Sequence, residues 1–496
     1  MVANRGEIAV RILTACQELG IKTVAVYSDV DANSPHVRNA DEAYCLGDPE
    51  PCSSYLNVDK IITAAKEMGA EAIHPGYGFL AENPGFAKRC EKEGIIFIGP
   101  KSEVIRLMGH KVEAKNTIKK AGVPVIPGYH GGDQNSEALI EEGLNIGFPL
   151  LIKAASGGGG KGMRIVRKEG ELPELIESCK RESLKAFGDE TVFLEKYLDR
   201  PRHIEFQILG DHHGHMIHLF ERECSIQRRH QKIIEETPST ALDQSLRQKM
   251  GEAATRVAET VGYTNAGTVE FMVDSERNFY FLEMNTRLQV EHPVTEFVTG
   301  VDLVKWQLRI ASGQPLTLDQ ETLTQRGHAV ECRIYAEDPQ NEFLPSTGII
   351  HYMELPEGVN IRNDSGIEPN MRVTSHYDPL LAKLTVYAET RSETIEKMMW
   401  ALSNYVVLGV TTNISFLRRI LAHPDFRKGN ITTHFIEEHE ELFREPEIPH
   451  EALISVAMAE TLRIAPQTAQ VEGAALVSGT GDPYSPWKSR GSWSNV

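Results

Sequence analysis

Glu283-Met284-Asn285-Thr286-Arg287-Leu288-Gln289-Val290-Glu291-His292 places Glu, Asn, Arg, Gln and Glu at its odd positions, with Met, Thr, Leu, Val and His between them. Side chains of an extended chain alternate between two faces, so the pattern predicts a strand with five polar groups on one side. Phe279-Tyr280-Phe281-Leu282 directly before it is apolar enough to be a buried strand. Arginine suits an anion such as phosphate or bicarbonate, and carboxylates suit a hard cation such as magnesium. A solvated outer face of an edge strand would alternate in the same way, so the rest of the chain decides between the two readings.

Immediately upstream, Gly267 to Asn285 predicts a hairpin that turns at Asp274-Ser275-Glu276-Arg277-Asn278, with Glu270 on its first strand and Glu283 on its second. Glu270, Glu283 and Asn285 together fit magnesium, which takes one or two carboxylates plus substrate phosphates. Either carboxylate alone would equally pair with a neighbouring arginine. A second signal is Ser156-Gly157-Gly158-Gly159-Gly160-Lys161-Gly162-Met163-Arg164, which follows the strand Pro149-Leu150-Leu151-Ile152-Lys153. Successive glycines let backbone N–H groups approach phosphate oxygens, so this reads as a phosphate-covering loop. It satisfies neither the GxxxxGK[ST] nor the GxGxxG spacing. A third signal, Glu223 to Lys232, gathers Gln227, Arg228, Arg229, His230, Gln231 and Lys232. In an acidic chain, such concentrated donors mark an anion site more readily than a solvated face. His74-Pro75-Gly76-Tyr77-Gly78-Phe79-Leu80-Ala81-Glu82 reads as a tight loop, structural or ligand-facing.

The first hundred residues alternate strand and helix: strands at Lys22 to Tyr27, Ala72 to His74 and Ile95 to Pro100, helices at Ile8 to Leu19 and Val58 to Met68. That pattern predicts a parallel α/β sheet with ligand loops at strand ends. Only Met1-Val2 precede the Asn4-Arg5-Gly6-Glu7 turn, so the first strand is nearly missing. Pro124, Pro127 and Gly128 mark a boundary, and Thr191 to Tyr197 reads as a further strand. From about His328 the chain is mixed strand and helix to about Glu440, followed by an alanine-rich helix candidate from Glu451 to Arg463.

With 496 residues the chain predicts roughly three domains. Its 41% hydrophobic and 25% charged content is that of a globular protein, and no apolar run approaches about 18 residues. A net charge of −18 argues against a general nucleic-acid surface. The expectation is therefore no nucleic-acid and no membrane partner. Seven scattered cysteines without a CxxC pair read as buried structural thiols in a reducing cytoplasm.

Taken together, these motifs resemble biotin carboxylase of the ATP-grasp superfamily. The resemblance runs through Ala3 to Ala9, His74 to Gly78, Lys153 with its glycine loop, Glu195-Lys196-Tyr197, Pro201 to Glu205, Gln227 to Lys232, Glu283 to Val294 and Arg326 to Arg333. It implies an α/β protein, α+β in part. Its parts are a Rossmann-like domain at 1–107, an ATP-grasp domain at 108–327 with a lid at about 127–197, a C-terminal domain at 328–440 and a linker-like tail at 441–496. The implied reaction joins ATP and bicarbonate, with Mg2+ or Mn2+, into carboxyphosphate that carboxylates biotin on a carrier. By this resemblance Glu291 is the base, Arg287 and Arg333 hold bicarbonate and stabilise carboxyphosphate and the biotin enolate, and Lys232 lies near the transferring phosphoryl group. Lys111 and Lys153 bind phosphates, Gly159 and Gly160 belong to the lid, and Glu195, Lys196 and Leu198 form the adenine hinge. His203, Gln227 and His230 are ribose-side and neighbouring contacts; the resemblance assigns nothing to Gln289, for which an orienting contact is expected.

His110 stands before Lys111 where that family usually has aspartate. The body of the chain is similar to the biotin carboxylase part of acetyl-, propionyl- and methylcrotonyl-CoA carboxylase α-subunits, and the tail to the linker of the propionyl- and methylcrotonyl-CoA types. No Met-Lys-Met biotinylation motif is present, so the chain is expected to take its biotin from a carrier domain or protein and, as a homodimer, to act with a carboxyltransferase subunit. The competing readings are another ATP-grasp ligase and a non-catalytic nucleotide-binding subunit.

Overall fold

The computed structural model describes residues 1–154, 163–444 and 450–464. Met1–Phe443 form one compact unit, and a second begins at Arg444, with a helix at His450–Ile464. Among the described residues, no helix is long and apolar enough to cross a membrane.

The N-terminal segment builds two parallel strand pairs, Val24–Ser28 (β1) with Glu42–Gly47 (β2), and Ala72–Ile73 (β3) with Ile96–Phe97 (β4). Val2 bridges both Ala25 and His74, with its N–H donating to Val24 O at 2.8 Å, while Ala3 N–H donates to His74 O at 2.9 Å. Helix Gly6–Glu18 follows at once and buries Ile8, Ile12 and Leu13. Helix Val58–Glu67 starts where the Asn57 side chain accepts from Lys60 N–H, which satisfies a free first-turn donor. Helix Pro84–Glu93 starts on Asn83 in the same way and ends at Gly94, whose φ of 72° is left-handed.

A four-stranded antiparallel sheet follows. Gly128–Tyr129 (β5), Leu150–Ala154 (β6), Met163–Val166 (β7) and Val192–Lys196 (β8) lie in the order β5-β8-β6-β7. Leu150, Ile152, Val166 and Leu194 point from it onto helices Ser136–Ile146 and Leu172–Phe187, a core of its own.

An eight-stranded sheet positions the functional groups. Its strands are Arg202–Gly210 (β9), Met216–Arg228 (β10), Gln231–Thr237 (β11), Asn265–Val273 (β12), Phe279–Asn285 (β13) and His328–Tyr335 (β14), then Leu380–Ala388 and outermost Ile361–Ser365. They run β13-β12-β9-β10-β11-β14 followed by those last two. The boundary expected at 327/328 thus falls within a continuous sheet, since β11 and β14 are hydrogen-bonded neighbours. On one face Val330, Cys332, Ile334, Leu384 and Val386 pack onto helices Arg391–Ser403 and Ile414–Ala422. Ile204, Phe206 and Ile208 pack with Val257 and Met250 of helix Gln244–Thr260. The opposite face carries His203, Glu205, Gln207, Glu331, Arg333, Lys383 and Thr385, all buried. Charged groups are seldom buried unless paired, so this buried polar face is where function is to be sought.

Glu236 ties the sheet to its helices. Its carboxylate accepts from His328 Nε2 at 2.8 Å and Arg391 Nε at 2.6 Å. Burial works against the charge, yet His328 and Arg391 hold the carboxyl down at about 2. The folded-state value lies below the ordinary 4.5, so the stabilisation is complete above that pH and is lost as pH falls toward about 2. Glu236→Gln should lower stability by ~3–5 kcal/mol near neutrality, read by denaturant unfolding. The gap to the parent should begin to close only below about pH 4.5.

Candidate active site

A cavity of about 570 Å³ opens between the polar sheet face and the N-terminal loops. Its floor follows from strand register. Glu205 on β9 pairs with Glu270 on β12, which pairs with Glu283 on β13, so three carboxylates stand in a row across neighbouring strands. Lys232 on β11 reaches into the row and donates to Glu205 at 2.5 Å, Glu270 at 2.8 Å and Glu291 at 2.8 Å. Arg222, fully buried, donates Nε to Glu205 at 2.6 Å. Burial disfavours the Lys232 ammonium, but Glu205, Glu270 and Glu291 together push its pKa well above the lysine range.

Arg333 on β14 donates Nε to Glu235 at 2.5 Å and Nη2 to Glu291 at 2.9 Å. Burial would raise Glu291, yet Lys232, Arg333 and Arg222 hold it far below the usual carboxylate range. Glu235 behaves oppositely, pushed up to about 7 by burial despite Arg333, with Glu291 adding to the rise.

The opening stretch departs from the expected strand. β13 ends at Asn285, residues from Thr286 form a turn, and Glu291 precedes helix His292–Thr299 without a side-chain bond to its first turn. Pro293 fits the first turn of a helix, where its missing N–H loses nothing, and the His292 ring bonds to Gln289 O at 2.8 Å. The turn is pinned from below by Lys383, whose Nζ donates to Val290 O at 2.6 Å. Alternation survives the change of backbone: Met284 and Leu288 enter the core, while Glu283, Asn285, Arg287 and Gln289 line the cavity and Glu291 lies buried against Lys232. Gln289 donates to Glu270 at 3.0 Å and accepts from Arg287 at 3.5 Å, an orienting link. Arg287 also donates to Asn285 Oδ1 at 3.3 Å and to Glu82 at 2.9 Å.

Gln227, His230 and Lys232 line the cavity from a hairpin whose turn is only Arg229-His230. Both turn residues have positive φ, 47° and 68°, a conformation that side chains other than glycine resist. Of the neighbouring cations of that motif, Arg228 serves structure and Arg229 faces solvent. Arg228 donates to Glu337 at 3.1 Å and stacks on Phe343, and the Arg229 side chain is 71% exposed. Gln227 donates to His203 Nδ1 at 2.7 Å, and His203 Nε2 lies 2.9 Å from Glu270. The His74–Glu82 loop contributes Tyr77, Gly78 and Phe79. Asn4 Nδ2 donates to Pro75 O and Tyr77 O, and a Cβ at Gly76 would stand 2.9 Å from that nitrogen.

Lys153 and Glu195 meet away from this lining, on the β6–β8 face, where Lys153 donates to Glu195 at 2.6 Å. Lys196 and Leu198 stand at and just beyond the end of β8, with Lys196 N–H donating to Pro127 O at 2.8 Å. Lys111 opens helix Lys111–Lys120, and its charge acts on Glu283. The His110 side chain caps that helix by accepting from Glu113 N–H at 3.2 Å, the task an aspartate would perform there. Gly159 and Gly160 lie outside the described residues. Five cysteines are buried, but Cys45 and Cys52 are exposed, contrary to the expectation of buried thiols throughout.

The donor set fits a hard divalent cation. Glu283 is raised by burial and by the facing Glu270 charge, a repulsion that a cation between the two would relieve. Glu270 and Glu283 would hold it, together with the Asn285 oxygen once that atom leaves Arg287. Sequence reasoning gave no role to Glu205, Glu82, Glu235, Arg222 or Lys115. The alternation His203, Glu205, Gln207 was a legible sign of the first.

The family description "Biotin carboxylase, N-terminal domain" matches residues 1–105, "Carbamoyl-phosphate synthase L chain, ATP binding domain" matches 110–319, and "Biotin carboxylase C-terminal domain" matches 331–438. On this fold and cavity they define the ATP-grasp class. The chain is 51% identical over 439 residues to the biotin carboxylase of Halalkalibacterium halodurans, covering 88% of this chain and 97% of that one. It therefore belongs to the biotin carboxylase family. It is 52% identical over 440 residues to the alpha chain of the mitochondrial methylcrotonoyl-CoA carboxylase of Rattus norvegicus, covering 88% of this chain but only 62% of that one. A solved relative is the biotin carboxylase domain dimer of Hydrogenobacter thermophilus 2-oxoglutarate carboxylase, in complex with MgADP, ADP and bicarbonate. It shows 49% identity and a TM-score of 0.86, covering 90% of this chain and 98% of that one.

Lys232→Met would leave Glu205, Glu270 and Glu291 without their shared cation. It should destabilise the chain by ~3–5 kcal/mol, read by thermal unfolding. Millimolar Mg2+ should then raise the melting temperature of the variant more than that of the parent.

Proposed function

We propose that the chain is the biotin carboxylase component of an acyl-CoA carboxylase, using ATP, bicarbonate and Mg2+ or Mn2+ to carboxylate biotin on a carrier. The observation that carries this reading is the meeting of Lys232, Arg333 and Glu291 beside a cation-ready carboxylate pair in one cavity. The working division is 1–107, 108–327 with its lid at about 127–197, and 328–440, with 441–496 leading toward carrier and carboxyltransferase partners. A homodimer in a reducing cytoplasm completes the proposal. The solved relative named above is a dimer.

Bicarbonate is a weak nucleophile and must lose a proton to attack a phosphoryl group. Glu291 is the base, and its proton affinity is low while Lys232 and Arg333 both rest on it. An anion that draws those cations away raises that affinity, so substrate arrival itself arms the base. Arg287, held by Glu82 and Asn285, orients the anion, and Lys232 then neutralises charge near the transferred phosphoryl group. A divalent cation on Glu270, Glu283 and Asn285 would supply charge neutralisation at the phosphates. Lys111 and Lys153 bind phosphates, Gly159 and Gly160 cover them, Glu195, Lys196 and Leu198 receive the adenine, and His203, Gln227 and His230 stand on the ribose side. Arg333 steadies the negative charge of the biotin enolate, whose proton passes to the phosphate released from carboxyphosphate.

The test is bicarbonate-dependent ATP hydrolysis with and without free biotin. Biotin stimulation is expected, and its absence from a folded sample sinks the reading. Arg333→Ala should cut biotin-dependent turnover by about 10²-fold while changing nucleotide affinity little. Equal loss of both would make Arg333 a structural residue.

A further inference from the structure

Beneath β6 and β8, one carboxylate answers to three basic groups. Glu195, with no exposed surface, accepts from Lys115 of helix Lys111–Lys120, from Lys153 at 2.6 Å and from the His130 ring at 3.1 Å. Lys115 and Lys153 both approach the Phe193 ring, at 5.1 and 6.0 Å, and His130 stacks on it. Burial opposes the Glu195 charge, yet Lys153 and Lys115 hold it well below the carboxylate range. Lys115 itself is brought down to about 8, by burial first and by Lys153 among its neighbours.

One carboxylate cannot balance two ammonium groups, so the cluster carries surplus positive charge. The surplus is not shared evenly: the Lys115 side chain is 4% exposed and that of Lys153 is 16%. Lys153 is thus the member able to leave for another anion, and Lys115 the member that stays. Without Lys115, departure of Lys153 would strand a buried carboxylate with only a histidine, which is strongly unfavourable. We propose that Lys115 is a positioning residue for nucleotide binding, neutralising Glu195 so that Lys153 can be released to a phosphate group. This rests on the reading of Lys153 as a phosphate ligand given above.

The full chain is titrated with MgADP and, separately, with adenosine, which has no phosphate to draw Lys153. Lys115→Met should weaken MgADP by roughly 10- to 100-fold while leaving adenosine within about twofold. Adding Glu195→Gln to it should restore most of the MgADP affinity, because no buried carboxylate is then left behind. Equal loss on both ligands, or no loss on MgADP, overturns the proposal. Should Lys115→Met fail to fold, Lys115→Gln keeps the question open to refutation: it too must weaken MgADP more than adenosine, and equal loss on both or no loss on MgADP overturns the proposal. A parent that ignores MgADP would defeat the functional reading instead.

Discussion

Three carboxylates locked side by side by strand register impose the constraint on which the rest of the site depends. Glu205, Glu270 and Glu283 cannot move apart, because β9, β12 and β13 are hydrogen-bonded at those rungs. Even at an effective dielectric of about 20, two unit charges about 4 Å apart interact by roughly 4 kcal/mol. Such a row persists in a buried sheet only if cations answer it. Arg222 answers Glu205 from the neighbouring strand, Lys232 spans the gap to Glu291, and Glu283 is left with a raised proton affinity. The turn that carries Arg287, Gln289 and Glu291 is fitted around this arrangement, with Lys383 pinning it from below.

Much of this was legible in the sequence, for reasons tied to particular residues. Alternation from Glu283 to Gln289 follows the split between core and cavity even though the backbone there passes from strand to turn, and it fails at Val290, which lines the cavity. The period-two signal reported facing rather than strandness. What it could not report was the helix start, which Pro293 announces but which the polar alternation outweighed. Val2 was read as a missing strand because a single rung has no periodicity, yet it joins β1 and β3. Glu205 sat in a visible alternation yet gains its task from Lys232, and Lys115 acquires meaning only through Glu195, a partner far along the chain. Separations of that kind leave no local trace in composition or spacing.

The two charged clusters share a logic. In each, a lysine rests on carboxylates in a buried setting, and an anion entering the site competes for that lysine. Lys232 is tied to three carboxylates and Lys153 to one, so the second lysine is the more readily drawn away. On the proposed function, substrate binding on such a surface is an exchange of ion-pair partners rather than the filling of a vacant hole, with a selectivity for dense negative charge set by what must be outbid.

The hairpin between β10 and β11 closes through Arg229 and His230 alone, each in a left-handed conformation. A loop this short works as a ruler. Gln227 pairs with Lys232 and Ile226 with Ile234, so Ile233 is an extra residue that bulges the strand and lets Lys232 face the carboxylates. Arg229, mostly solvated, can vary in chemistry, but the length of the connection cannot. An insertion or deletion between the tight turn and that bulge would move Lys232 off the carboxylates, whereas a substitution at Arg229 would not.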